Sequence, residues 1–272
     1  MLELYHNDMS TCAQKVRFAL VEKGVSWEGR HLDLRARDHQ TPEYLRFNPN
    51  AVVPTIVHDG TVIIESTVIN EYIDDAFAGP LLRPADATGR ARMRLWTKQL
   101  DEGLHADTGV LSTSIAFRYQ KLEKGAAEVE ALINHVPDPV KRERVRANIM
   151  EGVASRYFKD SVLRFDRLIG AMEMVLQTGP WLAGDAFSLA DIAYAPYVTR
   201  LDHLQLSALW RHRPHVDEWY ARLQDRKGYQ EGLVRWFNSR YLSLMKEKGR
   251  FEWPAIEAIF AESVAEVATT AV

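Results

Sequence analysis

Between residues 55 and 64 two β-branched, apolar runs, Thr55-Ile56-Val57-His58 and Thr61-Val62-Ile63-Ile64, flank Asp59-Gly60. This dipeptide tolerates the positive φ angles of a tight two-residue turn, so the stretch predicts a β-hairpin. What stands at its two ends narrows the fold further. Pro54 opens the first strand and has no N–H to give to a ladder, which suits a strand start. With a cis bond before Pro54, the N–H and C=O of Val53 would face outward, where an extended peptide could pair with them. At the other end Glu65-Ser66 begins a helix predicted over Thr67 to Phe77, and a helix start with a serine hydroxyl suits a carboxylate. Taken singly, each feature also has an ordinary reading: an edge-strand proline and a helix cap.

Upstream, Leu2 to Tyr5 reads as a strand, Thr11 to Lys23 as a helix stopped by Gly24, and Arg30 to Leu34 as a second strand. The order is then β-α-β, a linker, and β-β-α, a thioredoxin-like arrangement. The Pro- and Gly-rich run Ala78-Gly79-Pro80-Leu81-Leu82-Arg83-Pro84 separates residues 1–80 from a second domain, 87–272, that reads as all helix. Arg90 to Phe117 predicts one long helix. Residues 119–168 form a charged, helical insertion punctuated by Val136-Pro137-Asp138-Pro139. Ser188-Leu189-Ala190-Asp191 fits a capping box, and Pro196 predicts a kink or break after Ala195. The stretch Ala255 to Val264 has enough apolar residues to dock as a helix, either covering a cleft of the protein or merely packing.

Charge and cysteine content exclude several function classes. With 34 basic and 37 acidic residues the net charge is −3, which suggests no nucleic-acid partner. One cysteine excludes an internal disulfide framework, and no long apolar run or leader-like start is present, so a cytoplasmic protein without a membrane partner is expected. The nine histidines are scattered singly, without zinc-type spacing, and no metal is expected.

The first eighty residues resemble the N-terminal domain of the glutathione S-transferase superfamily, with Val53-Pro54 and Glu65-Ser66 where that superfamily holds its tripeptide. The resemblance implies glutathione as co-substrate. Its cysteinyl backbone would pair with Val53 beside Pro54, and Glu65 with Ser66 would hold its γ-glutamyl carboxylate. It also implies a serine-type reactive group at Ser10, followed by the basic-apolar-basic trio Lys15-Val16-Arg17, as in the zeta and tau classes. Such a serine donates a hydrogen bond to the glutathione sulfur, and the positive helix end further favours thiolate. Ser10 can serve as helix cap and sulfur partner together, with Thr11 as the alternative. Cys12 reads either as a small packing residue or as a thiol open to mixed-disulfide formation. Many relatives bind the glycine carboxylate through a Lys or Gln near the Val-Pro pair; here only Asn50 stands there, so His39 and Gln40 are the candidates.

The runs Glu65-Ser66-Thr67-Val68-Ile69, Leu82-Arg83-Pro84-Ala85-Asp86 and Met93-Arg94-Leu95-Trp96, with the Val136-Pro137 insertion, are similar to bacterial β-etherases and related fungal transferases. That implies a hydrophobic electrophile as second substrate, cleavage of a β-aryl ether, and a homodimer. His105, Thr108 and Ser112 on the long helix would then face the electrophile. The alternatives are a zeta-like glutathione-dependent isomerase and a non-catalytic glutathione or ligand-binding protein.

Overall fold

The computed structural model describes the backbone of residues 1–270 and the side chains of residues 1–262. Its chain order opens β1 (Leu2–His6), α1 (Thr11–Lys23), β2 (Glu28–His31), a 3-10 turn (Asp38–Gln40), α2 (Pro42–Leu45), β3 (Thr55–His58), β4 (Thr61–Ile64) and α3 (Ser66–Ala76). The four strands form one sheet in the order β2-β1-β3-β4, with β1 parallel to β2 and the other pairs antiparallel. Asp59 and Gly60 both have positive φ (48° and 84°), as the tight hairpin requires. Gly24 ends α1 in the left-handed region at φ 74°, where its N–H reaches the last carbonyls of the helix. This is the thioredoxin-like arrangement expected.

β2 lies earlier than the expected Arg30 to Leu34. Its pairing stops at His6↔His31 because β1 has run out, and Asp33 then leaves the sheet. Asp33 Oδ1 accepts from the N–H of Arg35 (2.8 Å) and Ala36 (3.2 Å), a side-chain turn that competes with a strand.

The rest is helical: α4 (Ala87–Gln99), α5 (His105–Ser112), α6 (Arg118–Leu122), α7 (Ala126–Asn134), α8 (Pro139–Met150), α9 (Arg156–Leu176), α10 (Leu189–His203), α11 (Pro214–Gln224), α12 (Lys227–Gly232) and α13 (Ser239–Thr270). None of the described helices is long and apolar enough to cross a membrane. The expected single helix from Arg90 to Phe117 is broken: Gly103, at φ 160° and ψ −34°, kinks the chain within Leu100–Leu104 between α4 and α5, and a π-helical turn at Thr113–Phe117 joins α5 to α6. Thr108 and Ser112 are buried: Thr108 Oγ1 donates to Leu104 O (2.9 Å) and Ser112 Oγ accepts from Arg200 (3.0 Å), while His105 is exposed.

By compactness the chain forms two units. The first contains Met1–Asp101, Met172–Thr199 and Pro214–Asn238. Within it the capping box closes as read: Ser188 N donates to Asp191 Oδ2 (3.0 Å) and Ala190 N to Ser188 Oγ (3.3 Å). Asp191, fully buried, also accepts from Leu182 N and Trp219 Nε1, both at 2.9 Å. The expected break at Pro196 does not occur, and α10 runs through it. Every residue from Leu189 to Leu201 is buried, so packing offsets the one missing N–H.

The second unit contains Glu102–Ala171, Arg200–Arg213 and the chain from Ser239 on. Its α7–α8 pair, the charged insertion, builds a small core of Val129, Ile133 and Ile149 flanked by Leu122, Leu132 and Val145. The surface face of that pair carries a two-pronged ion pair between Arg146 and Glu130. The apolar stretch from Ala255 is part of α13; the side chains of Ser263 and Val264 lie outside the described residues.

Candidate active site

Strand register brings three backbone features to one end of the sheet. Thr55 pairs with Tyr5 on one side and Ile64 on the other, so the residues just before Thr55, just after Tyr5 and just after Ile64 are neighbours. These are the Val53-Pro54 pair, the loop into α1, and Glu65-Ser66.

The Val53-Pro54 bond is cis, and the ladder begins only at Thr55, leaving the buried Val53 outside it. Two side chains not singled out from the sequence fix this turn. Tyr44 Oη donates to Val52 O (2.5 Å) and lies 2.8 Å from Thr55 Oγ1; Asn48 Nδ2 donates to Val52 O (2.9 Å) and to Thr55 Oγ1 (3.1 Å). Because Tyr44 spends its proton on Val52, the Thr55 hydroxyl must donate to Tyr44 while accepting from Asn48, and the network is satisfied throughout. The signal available in sequence was the Asn48-Pro49 turn dipeptide.

Glu65 sits at φ 67°, ψ 109°, an unusual conformation for a residue with a side chain. No side chain caps α3, so its first N–H groups are left for another acceptor, beside the buried Ser66. Such uncapped helix starts suit anions.

The start of α1 is arranged differently. Ser10 is the N-cap in extended conformation, and its Oγ accepts from Ala13 N (3.3 Å). An oxygen that accepts through a lone pair keeps its own O–H free to donate. The loop before it is held by Arg17, which is fully buried: Nη1 donates to Asn7 O (2.9 Å), Nη2 to Asp8 O (2.9 Å) and Nε to Gly232 O (2.8 Å), with the guanidinium over the Trp236 ring at 5.0 Å. Burial lowers the Arg17 pKa to about 9, opposed by nearby Asp8. Lys15, also buried, reaches Thr67 Oγ1 (3.5 Å), which donates to Asp101 Oδ1 (3.1 Å), tying α1 to the first turn of α3. Neither basic residue of the trio projects to solvent. Both hold the frame.

Cys12 Sγ lies 3.7 Å from the buried Tyr197 Oη, whose phenol burial pushes well above its usual range. The thiol thus packs toward α10. His39 and Gln40 occupy the 3-10 turn, 3.5 Å from each other; His39 is half-buried, its pKa lowered by burial. Among the described residues no hydrogen bond joins either of them to Ser10, Val53, Glu65 or Ser66.

The chain matches the family model "Glutathione S-transferase, N-terminal domain" over residues 9–76 and "Glutathione S-transferase, C-terminal domain" over residues 142–222. Protein LigF of Sphingobium sp. is 32% identical over 200 residues, 70% of this chain and 75% of that protein. The crystal structure of the beta-etherase LigF from Sphingobium sp. superposes with a TM-score of 0.73 at 27% identity, covering 86% of this chain and 99% of the other. Glutathione S-transferase TCHQD of Arabidopsis thaliana is 27% identical over 90% of this chain and 95% of its own length. A Burkholderia graminis glutathione transferase, solved with two glutathione molecules per subunit, matches with a TM-score of 0.67 at 26% identity, over 85% of this chain and 87% of the other. The chain belongs to the glutathione S-transferase family, enzymes whose co-substrate is glutathione.

Proposed function

We propose that this transferase uses Ser10 to hold the glutathione sulfur as a thiolate and delivers it to a hydrophobic aryl ether. The Ser10 O–H, left free by the lone-pair contact to Ala13 N, donates to the sulfur. A hydrogen bond to a charged group contributes about 1.5–3 kcal/mol, which lowers a thiol pKa by roughly one to two units. The cysteinyl backbone pairs with Val53 beside Pro54. The γ-glutamyl carboxylate lies at Ser66 and the uncapped N–H groups of α3, with the Glu65 carboxylate beside its ammonium, and His39 and Gln40 serve the glycine carboxylate. Residues 1–80 are the glutathione-binding domain and 87–272 the helical domain in this reading.

The observation that carries the substrate class is the match to LigF across most of both chains. In the corresponding reaction the thiolate attacks the carbon that bears an aryloxy group next to a ketone. The C–S bond forms, the C–O bond breaks, and a phenolate leaves with the electron pair. The ketone activates that carbon, so the protein need only orient two substrates and stabilise a thiolate. The protein works as a cytoplasmic homodimer. Val68 on α3 and Leu95 on α4 are exposed beside the two-pronged Glu71–Arg94 ion pair, an apolar face with a polar rim of the kind subunits bury.

Glutathione consumption by the parent and by Ser10→Ala, with a β-aryl ether ketone and with a chloro-aromatic electrophile, tests this reading. Ether-dependent, stoichiometric consumption that falls about 10- to 100-fold in Ser10→Ala is expected. Glutathione returned unchanged after turnover would instead indicate an isomerase, and binding without turnover a ligand-binding protein.

A further inference from the structure

Helix α1 carries a buried lysine towards each end, Lys15 (1% exposed) near Ser10 and Lys23 (3% exposed) as its last residue, and the two are served very differently. Lys23 Nζ has three acceptors: Asp74 Oδ1 at 2.7 Å, Asp74 O at 3.0 Å and Pro80 O at 3.0 Å. An ammonium has three N–H donors, so this one is fully satisfied, and a carboxylate neutralises it. Lys15 Nζ has one acceptor, Thr67 Oγ1 at 3.5 Å, the outer limit of a hydrogen bond, and one ring, that of Tyr197, with its centroid at 5.8 Å. The Thr67 hydroxyl gives its proton to Asp101 Oδ1, so it offers Lys15 a lone pair and no charge. Among the described residues no carboxylate forms an ion pair with Lys15.

Such a cation is poorly served by the protein alone. Burial strips an ammonium of water, and without a carboxylate that loss is not recovered. Thr67 is the second residue of α3, so the ammonium also meets the positive end of that helix's dipole, which repels it. An anion at the start of α3, beside the buried Ser66 and the uncapped N–H groups, offsets both effects.

We propose that Lys15 is the buried countercharge for the γ-glutamyl carboxylate of glutathione. It is a positioning residue: shut away from solvent, it acts through its field across the first turn of α3 and makes the site selective for a peptide that bears this carboxylate. The inference rests on the reading that places the carboxylate at Ser66 and the N–H groups of α3. Lys23, satisfied within the fold, is a fastener only.

Isothermal titration calorimetry of the full chain with two probes tests this. One is S-methylglutathione; the other is the S-methyl derivative of 4-aminobutyryl-cysteinylglycine, which lacks only the γ-glutamyl α-carboxylate. Neither has a thiol, so the outcome is independent of Ser10. Lys15→Met, close in size but uncharged, is expected to bind S-methylglutathione about tenfold more weakly, with affinity for the second probe within about twofold of the parent's. Lys15→Gln, which keeps a donor for Thr67 without the charge, should lose as much, and it decides alone should Lys15→Met fail to fold. A role in packing would weaken both probes alike. In denaturant unfolding without ligand, Lys15→Met should be no less stable than the parent, whereas Lys23→Met, which leaves Asp74 without its buried cation, should be clearly less stable. Equal affinity of the parent for the two probes would overturn the carboxylate assignment and this proposal with it. A parent that discriminates, with variants that bind S-methylglutathione as tightly or lose equally on both probes, would overturn the proposal alone.

Discussion

The two helix starts that meet at the site, those of α1 and α3, follow opposite designs. α1 is finished: Ser10 caps it, Arg17 locks the loop ahead of it, and Cys12 in its first turn packs on Tyr197. α3 is unfinished: no side chain caps it, and the residue before it is held at positive φ. A satisfied helix end can present one hydroxyl in a fixed direction. An unsatisfied one waits for a ligand's anion. In the proposed reading the first end does the chemistry and the second the binding, and each perturbation below should move only one of them.

The largest effect belongs to Arg17, whose three carbonyl contacts fix the approach to α1. Arg17→Gln leaves those buried carbonyls poorly served and should destabilise the protein by about 3–5 kcal/mol. Denaturant titration measures this, and hydrogen exchange should show the amides of residues 7–10 opening before those of 66–69. Simultaneous opening would mean the two ends are not separately built.

Acid should strike the α1 side next. Burial holds the His6 pKa near 3 in the folded chain, with Arg17 and His31 adding to the depression, against an ordinary value of 6.5. The unfolded chain therefore binds more protons, and stability present above pH 6.5 is lost as pH falls toward 3. The loss is about 1.4 kcal/mol per pH unit from His6. His203, held near pH 4 by burial and Arg200, adds the same slope over a shorter range. Chemical unfolding at pH 7 and pH 5 checks the direction; a stability that rises on acidification would contradict it.

At α3, Glu65→Gly relieves a conformation that costs a residue with a side chain about 1 kcal/mol. The variant should be no less stable, yet its KM for glutathione should rise several-fold with kcat nearly unchanged. A fall in kcat at constant KM would place Glu65 in the chemistry instead. The smallest change is expected from Cys12→Ala: its thiol faces Tyr197, and activity should stay within about twofold, as is usual where only packing is altered. A loss of a hundredfold would reverse the assignment and make the cysteine the reactive group.

Much of this was legible because local chemistry set it. The Asp59-Gly60 turn, Gly24 at the end of α1 and the Ser188–Asp191 box are each decided within a few residues, and all three form as read. What escaped depends on distant partners. β2 ends where β1 ends, which no property of Leu32 to Leu34 reveals. Pro196 stays inside α10 because its surroundings are packed. Tyr44 and Asn48 brace the cis turn from up to eleven positions away, and Arg17, read as one member of a motif, works through Gly232 and Trp236, more than two hundred residues away. The start of α1 read as the place of a reactive group; the residues that hold it became visible only in three dimensions.

In the proposed reading Ser10 stabilises the sulfur of bound glutathione as a thiolate. Its most direct test is the thiol pKa of the bound tripeptide, followed by ultraviolet thiolate absorbance in the parent and in Ser10→Ala. A pKa at least about one unit below that of free glutathione is expected in the parent, rising by about one to two units in the variant. Equal values in the two proteins, with glutathione bound in both, would contradict it.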